Sequence, residues 1–236
     1  MKAKAYLGDL SGGGLLVAES RTIAELSLQN LTDVEWKQRV VQDNILQKKS
    51  PQTALRFANV IRHRLNAMGT DYTQALVDAS ERACKQLLMA AFMVQSPVLV
   101  DFMQTILAEA RRTYKPDISH DAWLVFINDR MQTFPELTAY SESTLKRMGS
   151  HVIKALVDTE YLQSTRQRKI QAVYVLPEVQ DVLTKINQQQ LTMLMDENLN
   201  TQSFQKLYQS LTVQKAKAPA FGLMVDNPKL LDSIKP

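Results

Sequence analysis

The residues in this sequence that are best suited to chemistry are cationic, amide and imidazole side chains clustered between positions 48 and 64. Most recur at helical spacing, opposite an apolar side of the same segment. No acidic residue occurs between Asp43 and Asp71, whereas solvated helices usually mix charges of both signs. Such side chains hydrogen-bond to phosphates and base edges, so the pattern predicts a surface for double-stranded DNA. The predicted contacts are Lys48, Lys49, Gln52, Arg56, Asn59, Arg62, His63 and Arg64.

A second cationic group of the same character lies between positions 147 and 169. Part of it has helical spacing on the outer side of a predicted helix, and the rest belongs to the basic stretch "TRQRK". Asp158 and Glu160 lie nearby, so this second surface is less uniformly positive. We expect further phosphate contacts here. They are Arg147, His151, Lys154, Arg166, Arg168 and Lys169.

The patterns of an enzyme or a metal site are missing from the sequence. The histidines His63, His120 and His151 are widely separated, and no C-x-x-C or H-E-x-x-H pattern occurs. The glycine-rich stretch "SGGGLL" at residues 11–16 lacks the Lys-Ser/Thr ending of a phosphate-binding loop, which favours a flexible turn before a helix. The single cysteine, Cys84, excludes an internal disulfide and fits a reducing compartment. We therefore predict no catalytic residue, no metal and no cofactor.

Composition and helix signals predict a mainly α protein. Only 7 glycines and 8 prolines occur among 236 residues, and hydrophobic residues make up 45% of the chain. Thr32 and Glu35 have the spacing of a capping box, and that helix is expected to continue to about Gln47. After a three-residue connection, Ser50 is the expected N-cap of a second helix, with Pro51 at its first position. This arrangement is typical of a helix-turn-helix unit.

The region after residue 139 predicts a winged-helix-like unit with a short β-hairpin. A helix capped by Ser141 or Ser143 is expected to end near Val157. The basic stretch follows as an exposed tip, and then comes "IQAVYVL", the best strand candidate in the chain. Pro177 begins a further helix that is expected to reach about Gln190.

These patterns divide the chain into four parts. They are an N-terminal helix-turn-helix unit (1–70), a helical core (71–138), the winged-helix-like unit (139–195) and a C-terminal extension (196–236). Within the extension, "SFQKLYQSL" is a helix candidate. The apolar residues expected to dock the tail are Phe221, Leu223 and Leu230.

The longest apolar stretch, residues 86–100, predicts two buried helices rather than a membrane span. It is shorter than the roughly 20 residues that a transmembrane helix needs, and Ser96-Pro97 interrupts it. The start of the chain has no apolar signal segment. We therefore expect a cytoplasmic protein without a membrane partner.

Four segments of this sequence resemble the BrxA family, a small component of BREX bacteriophage-defence systems. They are "GDLSGGGLLVAESRTIAELSL", "DNILQKKSPQTALRFANVIRHRL", "YSESTLKRMGSHVIKALVDTEYL" and "VYVLPEV". The resemblance extends over about residues 7–195. It implies an all-α, helix-turn-helix protein that binds DNA and acts with other BREX proteins, including a methyltransferase. The family has been labelled an inner-membrane protein, which the short apolar stretch does not support. It offers no catalytic residues to carry over.

The leading hypothesis is a non-enzymatic, double-stranded DNA-binding component of a BREX complex that contacts mainly phosphates. One alternative is a protein adaptor, in which the same basic surfaces dock acidic partners. Another is an RNA-binding protein, which is less favoured because few aromatic residues are interleaved with the basic ones.

Overall fold

The computed structural model describes residues 2–196, and twelve α-helices make up most of this range. They are α1 (Ala3–Leu7), α2 (Val17–Ser27), α3 (Asp33–Lys37), α4 (Pro51–Met68), α5 (Thr70–Asp78), α6 (Glu81–Gln95), α7 (Pro97–Phe102), α8 (Ala108–Arg112), α9 (Ala122–Thr133), α10 (Glu142–Asp158), α11 (Pro177–Lys185) and α12 (Gln189–Met195). Short 3₁₀ segments occur at Leu10–Gly12 and Pro135–Ala139. The backbone is π-helical at Gln38–Gln42 and Met103–Leu107. The prediction of a mainly α protein is confirmed.

Helix α6 forms the centre of the fold. Its sequence is apolar almost all round, from Leu87 to Met93, and every residue in that range is buried. A helix of this kind must be surrounded, because each exposed apolar side chain forfeits its transfer free energy. Accordingly α6 packs against α2, α4, α5, α7, α11 and α12.

The expectation of two buried helices in the apolar stretch is confirmed, since α6 ends at Gln95 and α7 starts at Pro97. Among residues 2–196, no individual helix combines the length and hydropathy needed to cross a membrane. Only α6 taken together with Pro97–Arg112 reaches those values, and the chain bends by 106° between the two.

The N-terminal helix-turn-helix geometry is not confirmed. The Thr32–Glu35 capping box is present, but the helix turns π-helical after Lys37 and ends at Gln42, five residues earlier than expected. The side chain of Asn44 bonds both the amide and the carbonyl of Lys48, at 2.9 and 3.0 Å. These bonds fix a loop in competition with further helix. The connection to α4 is therefore longer than three residues.

The β-hairpin of the predicted winged-helix-like unit is not confirmed either. Of the two candidate caps, Ser141 is the one that caps α10. Beyond α10, the region from 161 to 176 contains only isolated bridges, including Leu162 with Ile170. In the segment "IQAVYVL", only Ile170 forms a bridge, and residues 171–176 do not belong to a strand. The buried amide of Gln86 holds this segment instead, donating to the Tyr174 carbonyl and accepting from the Leu176 amide, both at 2.9 Å.

The last described helices differ from expectation in where they break. The helix that starts at Pro177 ends at Lys185, and α12 begins at Gln189. The expected helix "SFQKLYQSL" and the docking residues Phe221, Leu223 and Leu230 lie outside the described residues. The four-part division of the chain stays a prediction.

Candidate nucleic-acid interface

The two predicted cationic groups meet at one cleft, which lies between α4 and α10. Arg56 of α4 lines it from one side. Arg147, His151 and Lys154 of α10 line it from the other. The cleft is open to solvent and has a volume of about 670 Å³. The sequence predicted each group separately, and the tertiary structure brings these four side chains together.

Apolar packing positions both helices. The face of α4 opposite Arg56 is buried through Ala54, Ala58, Ile61 and Leu65. Ser50 accepts from the Thr53 amide and Pro51 occupies the first turn, as predicted, so the helix start is fixed. The inner face of α10 is buried in the same way through Leu145, Met148, Val152 and Leu156.

The glycine-rich segment 11–14 forms the floor between the two helices. The ring of His151 hydrogen-bonds the Leu10 carbonyl through Nδ1 at 2.8 Å, so α10 is tied to this segment directly. Gly12 lies so close to α4 that a Cβ at this position would be 2.5 Å from Val60 Cγ2. The stretch is therefore a packed turn before α2, not a flexible one. The sequence analysis did not predict that this segment lines the cleft. The run of three consecutive glycines, which permits close packing, was the available signal.

The prediction that Arg64 contacts DNA is wrong, because its side chain does not lie on the surface. Its outward placement was expected from helical spacing, but the side chain is only 2% exposed. Its guanidinium donates to both Asp9 oxygens, at 2.7 and 3.0 Å, and to the carbonyls of Gly13 and Gly14, at 3.2 and 2.5 Å. It also lies over the Phe92 ring, 4.3 Å from the centroid. Arg64 lies between the apolar and the polar side of α4, so helical spacing allowed either an outward or a buried side chain. The pair with Asp9 fixes the buried placement.

Two other predicted contacts are paired with acids from elsewhere in the chain. Lys48 Nζ lies 2.5 Å from Glu19, and Arg62 lies 3.3 Å from Asp33 while covering the Trp36 ring. No acid occurs within the segment itself, but acids from elsewhere in the chain therefore reach this surface. The Arg62 pair is exposed, so it contributes little stability.

The remaining predicted residues of the first group face solvent. They are Lys49, Gln52, Arg56, Asn59 and His63. Within residues 2–196, Arg56 has no carboxylate partner, and its guanidinium lies 5.1 Å from the Phe57 ring centroid.

The second predicted group divides into two places. Arg147 is exposed and, in the described part of the chain, makes no ion pair. Lys154 pairs with Asp158 on the same helix.

Two further charged side chains line the cleft, those of Lys85 and Glu81. The hydrogen bond between them raises the pKa of Lys85 and lowers the pKa of Glu81.

The basic tip lies against the loop before α9 rather than in the cleft. The Arg168 guanidinium donates to the Ser119 carbonyl at 2.9 Å, and the Arg168 carbonyl accepts a hydrogen bond from the Ile118 amide. Burial against this loop lowers the pKa of Arg168, although its guanidinium stays charged at neutral pH. Arg166 and Lys169 are exposed. None of these three residues lines the cleft.

Metal-ligating side chains are dispersed in the described structure. Between residues 2 and 196, no group of three or more His, Cys, Asp or Glu residues is placed to hold a metal ion. Cys84 is buried, and burial raises the pKa of its thiol.

Comparison with known proteins identifies the family. A family model described as BrxA matches residues 4–187. A BREX protein BrxA from Escherichia coli O9:H4 (strain HS) is 40% identical over 193 residues, which cover 82% of this chain and 91% of that protein. A BREX protein BrxA from Paramagnetospirillum magneticum (strain AMB-1) is 29% identical over 189 residues, covering 80% and 95% respectively.

A solved structure has the same fold. The crystal structure of an uncharacterized protein from Magnetospirillum magneticum matches with a TM-score of 0.72 at 26% identity, and the match covers 81% of this chain and 97% of that chain. The family model spans most of the chain described above. The chain therefore belongs to the BrxA family.

Proposed function

We propose that this chain is a non-enzymatic component of a BREX phage-defence system that binds double-stranded DNA, mainly through phosphates. The names of its relatives support the system. The observation that carries DNA binding is the convergence of Arg56 and Arg147 at one cleft, neither having a carboxylate partner within residues 2–196. Unpaired guanidinium groups that share one surface attract a polyanion.

The proposed DNA surface extends from this cleft along the exposed side of α4. Its members on α4 and just before it are Lys49, Gln52, Arg56, Asn59, Arg62 and His63, with Lys48 at the margin. Its members on α10 are Arg147, His151 and Lys154. Arg166, Arg168 and Lys169 are proposed as a separate contact at the tip. Arg64 is excluded because it is buried.

Counterion release drives the proposed binding. Each phosphate neutralised on a duplex contributes a slope of about −0.9 to the logarithm of affinity against the logarithm of salt concentration. Arginine, glutamine and asparagine can also reach base edges, but the cations on this surface make phosphate contacts dominant. We place the protein in the cytoplasm with other BREX proteins, including a methyltransferase, as partners.

The test is a salt titration of binding to a fluorescent duplex. The Arg56→Ala/Arg147→Ala double variant should bind more weakly and lose nearly two units of slope, about 0.9 for each removed contact. Lys185→Ala, an exposed cation on α11 outside the proposed surface, is the matched control and should resemble wild type. A folded double variant with wild-type slope would remove the cleft from the DNA surface.

A protein adaptor is the second candidate function. It is favoured by exposed apolar side chains near the tip, where Tyr114 and Val125 are 94% and 61% exposed. Val125 and Gln167 line a shallow depression of about 700 Å³ there. Exposed apolar surface of this kind often marks a protein contact. A stable complex with another BREX protein that persists without DNA, and is lost in Val125→Asp, would favour this function. Competition between duplex DNA and structured RNA in the titration tests the RNA alternative.

A further inference from the structure

The cleft between α4 and α10 carries an excess of positive charge on a concave surface. Four cationic side chains line it, Arg56, Lys85, Arg147 and Lys154, against only Glu81 and Asp158. The two lysines are each paired with one of these acids. The two arginines supply the excess, and they come from different helices.

The glycine-rich floor adds backbone donors to this charge. The carbonyls of Gly13 and Gly14 both accept from buried Arg64, so they are directed at the interior. In a trans peptide the carbonyl and the following N–H point in opposite directions, and no cis peptide occurs between residues 2 and 196. The amides of Gly14 and Leu15 are therefore turned away from Arg64. Neither amide donates to an acceptor within residues 2–196. Because Leu15 is only 1% exposed, only the half-buried Gly14 can offer its amide to a ligand in the cleft.

Helix α2 begins at the edge of the cleft, directly after the glycine-rich floor. Leu16, its N-cap, has the left-handed backbone angles φ 53 and ψ 51, a conformation that L side chains rarely adopt. Leu16, Val17 and Ala18 all line the cleft. The first amides of an α-helix lack partners within the helix and carry partial positive charge. Free backbone amides beside cationic side chains form an anion-binding site.

From this arrangement we infer that the cleft binds the phosphate monoester group of a nucleotide, either free or at the end of a nucleic-acid strand. A phosphate monoester carries about −1.5 to −2 charges near neutral pH, which matches the two unpaired arginines. A phosphodiester inside a duplex carries one. The volume of about 670 Å³ is that of a small-ligand site. Half-buried Phe57 and Leu16 offer apolar surface to the nucleoside.

This inference shares Arg56 and Arg147 with the proposed DNA surface but does not depend on duplex binding. Arg147 and Arg56 would bind the phosphoryl oxygens, and Gly14 would donate its backbone N–H to them. Lys85 and Lys154 stay with their carboxylates.

The experiment is a titration of the full chain, followed by amide NMR, with inorganic phosphate, adenosine 5′-monophosphate and adenosine. Inorganic phosphate and adenosine 5′-monophosphate should each shift the Gly14 amide resonance until the shift saturates, and adenosine should not. Arg147→Gln should weaken phosphate binding about tenfold or more, because a hydrogen-bonded charge pair is removed. Lys185→Gln is the control and should bind as wild type does.

Several outcomes would overturn the inference. They are resonance shifts confined to other residues, equal shifts with adenosine, and unchanged affinity in Arg147→Gln. Should Arg147→Gln fail to fold, Arg56→Gln replaces it with the same expectation, since Arg56 is exposed on a different helix.

A second arm separates the two sources of the group and keeps duplex binding distinct. A duplex with 5′-phosphates is compared with the same duplex lacking them, with and without adenosine 5′-monophosphate. Preference for the phosphorylated ends, abolished by the nucleotide, assigns the site to strand ends. Equal binding to both duplexes, together with nucleotide binding, assigns it to free nucleotides. If the protein binds nucleotide or phosphorylated ends but does not bind the unphosphorylated duplex, the proposed duplex-binding function is refuted and this inference stands.

Discussion

The guanidinium of Arg64 and the carboxylate of Asp9 form a two-bond pair beneath the glycine-rich segment, at 2.7 and 3.0 Å. Asp9 also accepts from the Ser96 hydroxyl at 3.0 Å, which connects the pair to the junction of α6 and α7. One ion pair therefore joins three parts of the chain that are distant in sequence. It determines how the floor of the cleft presents its amides.

Replacing Arg64 with methionine should destabilise the protein, because Asp9 would keep a largely buried charge without its partner. Breaking a buried pair on one side costs about 3–5 kcal/mol. Urea unfolding of Arg64→Met measures this loss in the free energy of unfolding. Arg56→Met on the exposed side of the same helix should change it by less than about 0.5 kcal/mol. Similar stabilities for the two variants would contradict the structural role of Arg64.

Replacing Gly149 with alanine should also destabilise the protein, although alanine is the better helix former. A Cβ at Gly149 would overlap the Trp123 ring, and that ring is held by a 2.8 Å bond from Nε1 to the Leu145 carbonyl. Overpacking costs about 1–3 kcal/mol, and the 2.3 Å approach to Trp123 Cδ1 points to the upper part of that range, above the gain of about 1 kcal/mol in helix propensity. Thermal unfolding gives the sign, and exposed Ser150→Ala should be neutral or stabilising. A raised melting temperature in Gly149→Ala would show that Trp123 can move.

The Gln86 amide should be required for the extended segment after the tip. Gln86→Leu removes the partners of the Tyr174 carbonyl and the Leu176 amide, and unsatisfied buried groups cost about 1–3 kcal/mol. Hydrogen exchange at the Leu176 amide should accelerate. Gln180→Leu is the control, since its side chain is exposed and bonds only the Val175 carbonyl. Unchanged protection of Leu176 in Gln86→Leu would refute this role.

The capping box should give helix α3 a dependence on acidic pH. The hydroxyl of Thr32 and, secondarily, its backbone amide lower the pKa of Glu35 below the usual value for glutamate. The folded-state pKa thus lies below that of the unfolded chain. Stabilisation is present above the unfolded value and is lost as the pH falls through the folded value.

Carbon NMR of the Glu35 carboxyl measures this titration. In Thr32→Val the midpoint should move part of the way back up, because the backbone bond at 2.8 Å remains. A wild-type midpoint at or above the usual glutamate value would contradict the capping role.

Removing Asp158 should strengthen DNA binding, because it releases Lys154 for a phosphate contact. In Asp158→Asn the salt slope should steepen by up to about 0.9. Exposed Asp181→Asn, on α11, removes the same charge outside the proposed surface and should leave the slope unchanged. An equal increase in both variants would mean that only net charge matters.

Local structure followed the sequence wherever neighbouring residues decide it. The caps at Thr32 and Ser50 are formed as predicted, and Ser141 is the one of two candidates that caps α10. A cap depends on residues within one turn. The buried faces of α4 and α10 follow equally from helical periodicity. Two features could not be predicted. The helix that starts at Asp33 ends at Gln42 because the Asn44 loop competes with helix, and residues 171–176 form no strand because Gln86 supplies their partner.

The candidate surface shows the same division between sequence and tertiary structure. The sequence alone determined that cations cluster on α4 and α10, and which of their sides are apolar. Only the tertiary structure decided which cations remain unpaired, because acids reach them from distant positions: Asp9 lies 55 residues before Arg64, and Glu19 lies 29 residues before Lys48. Electrostatic pairing depends on distance in space, not along the chain. The folded arrangement therefore left Arg56 and Arg147 facing one cleft and placed Arg64 inside the protein.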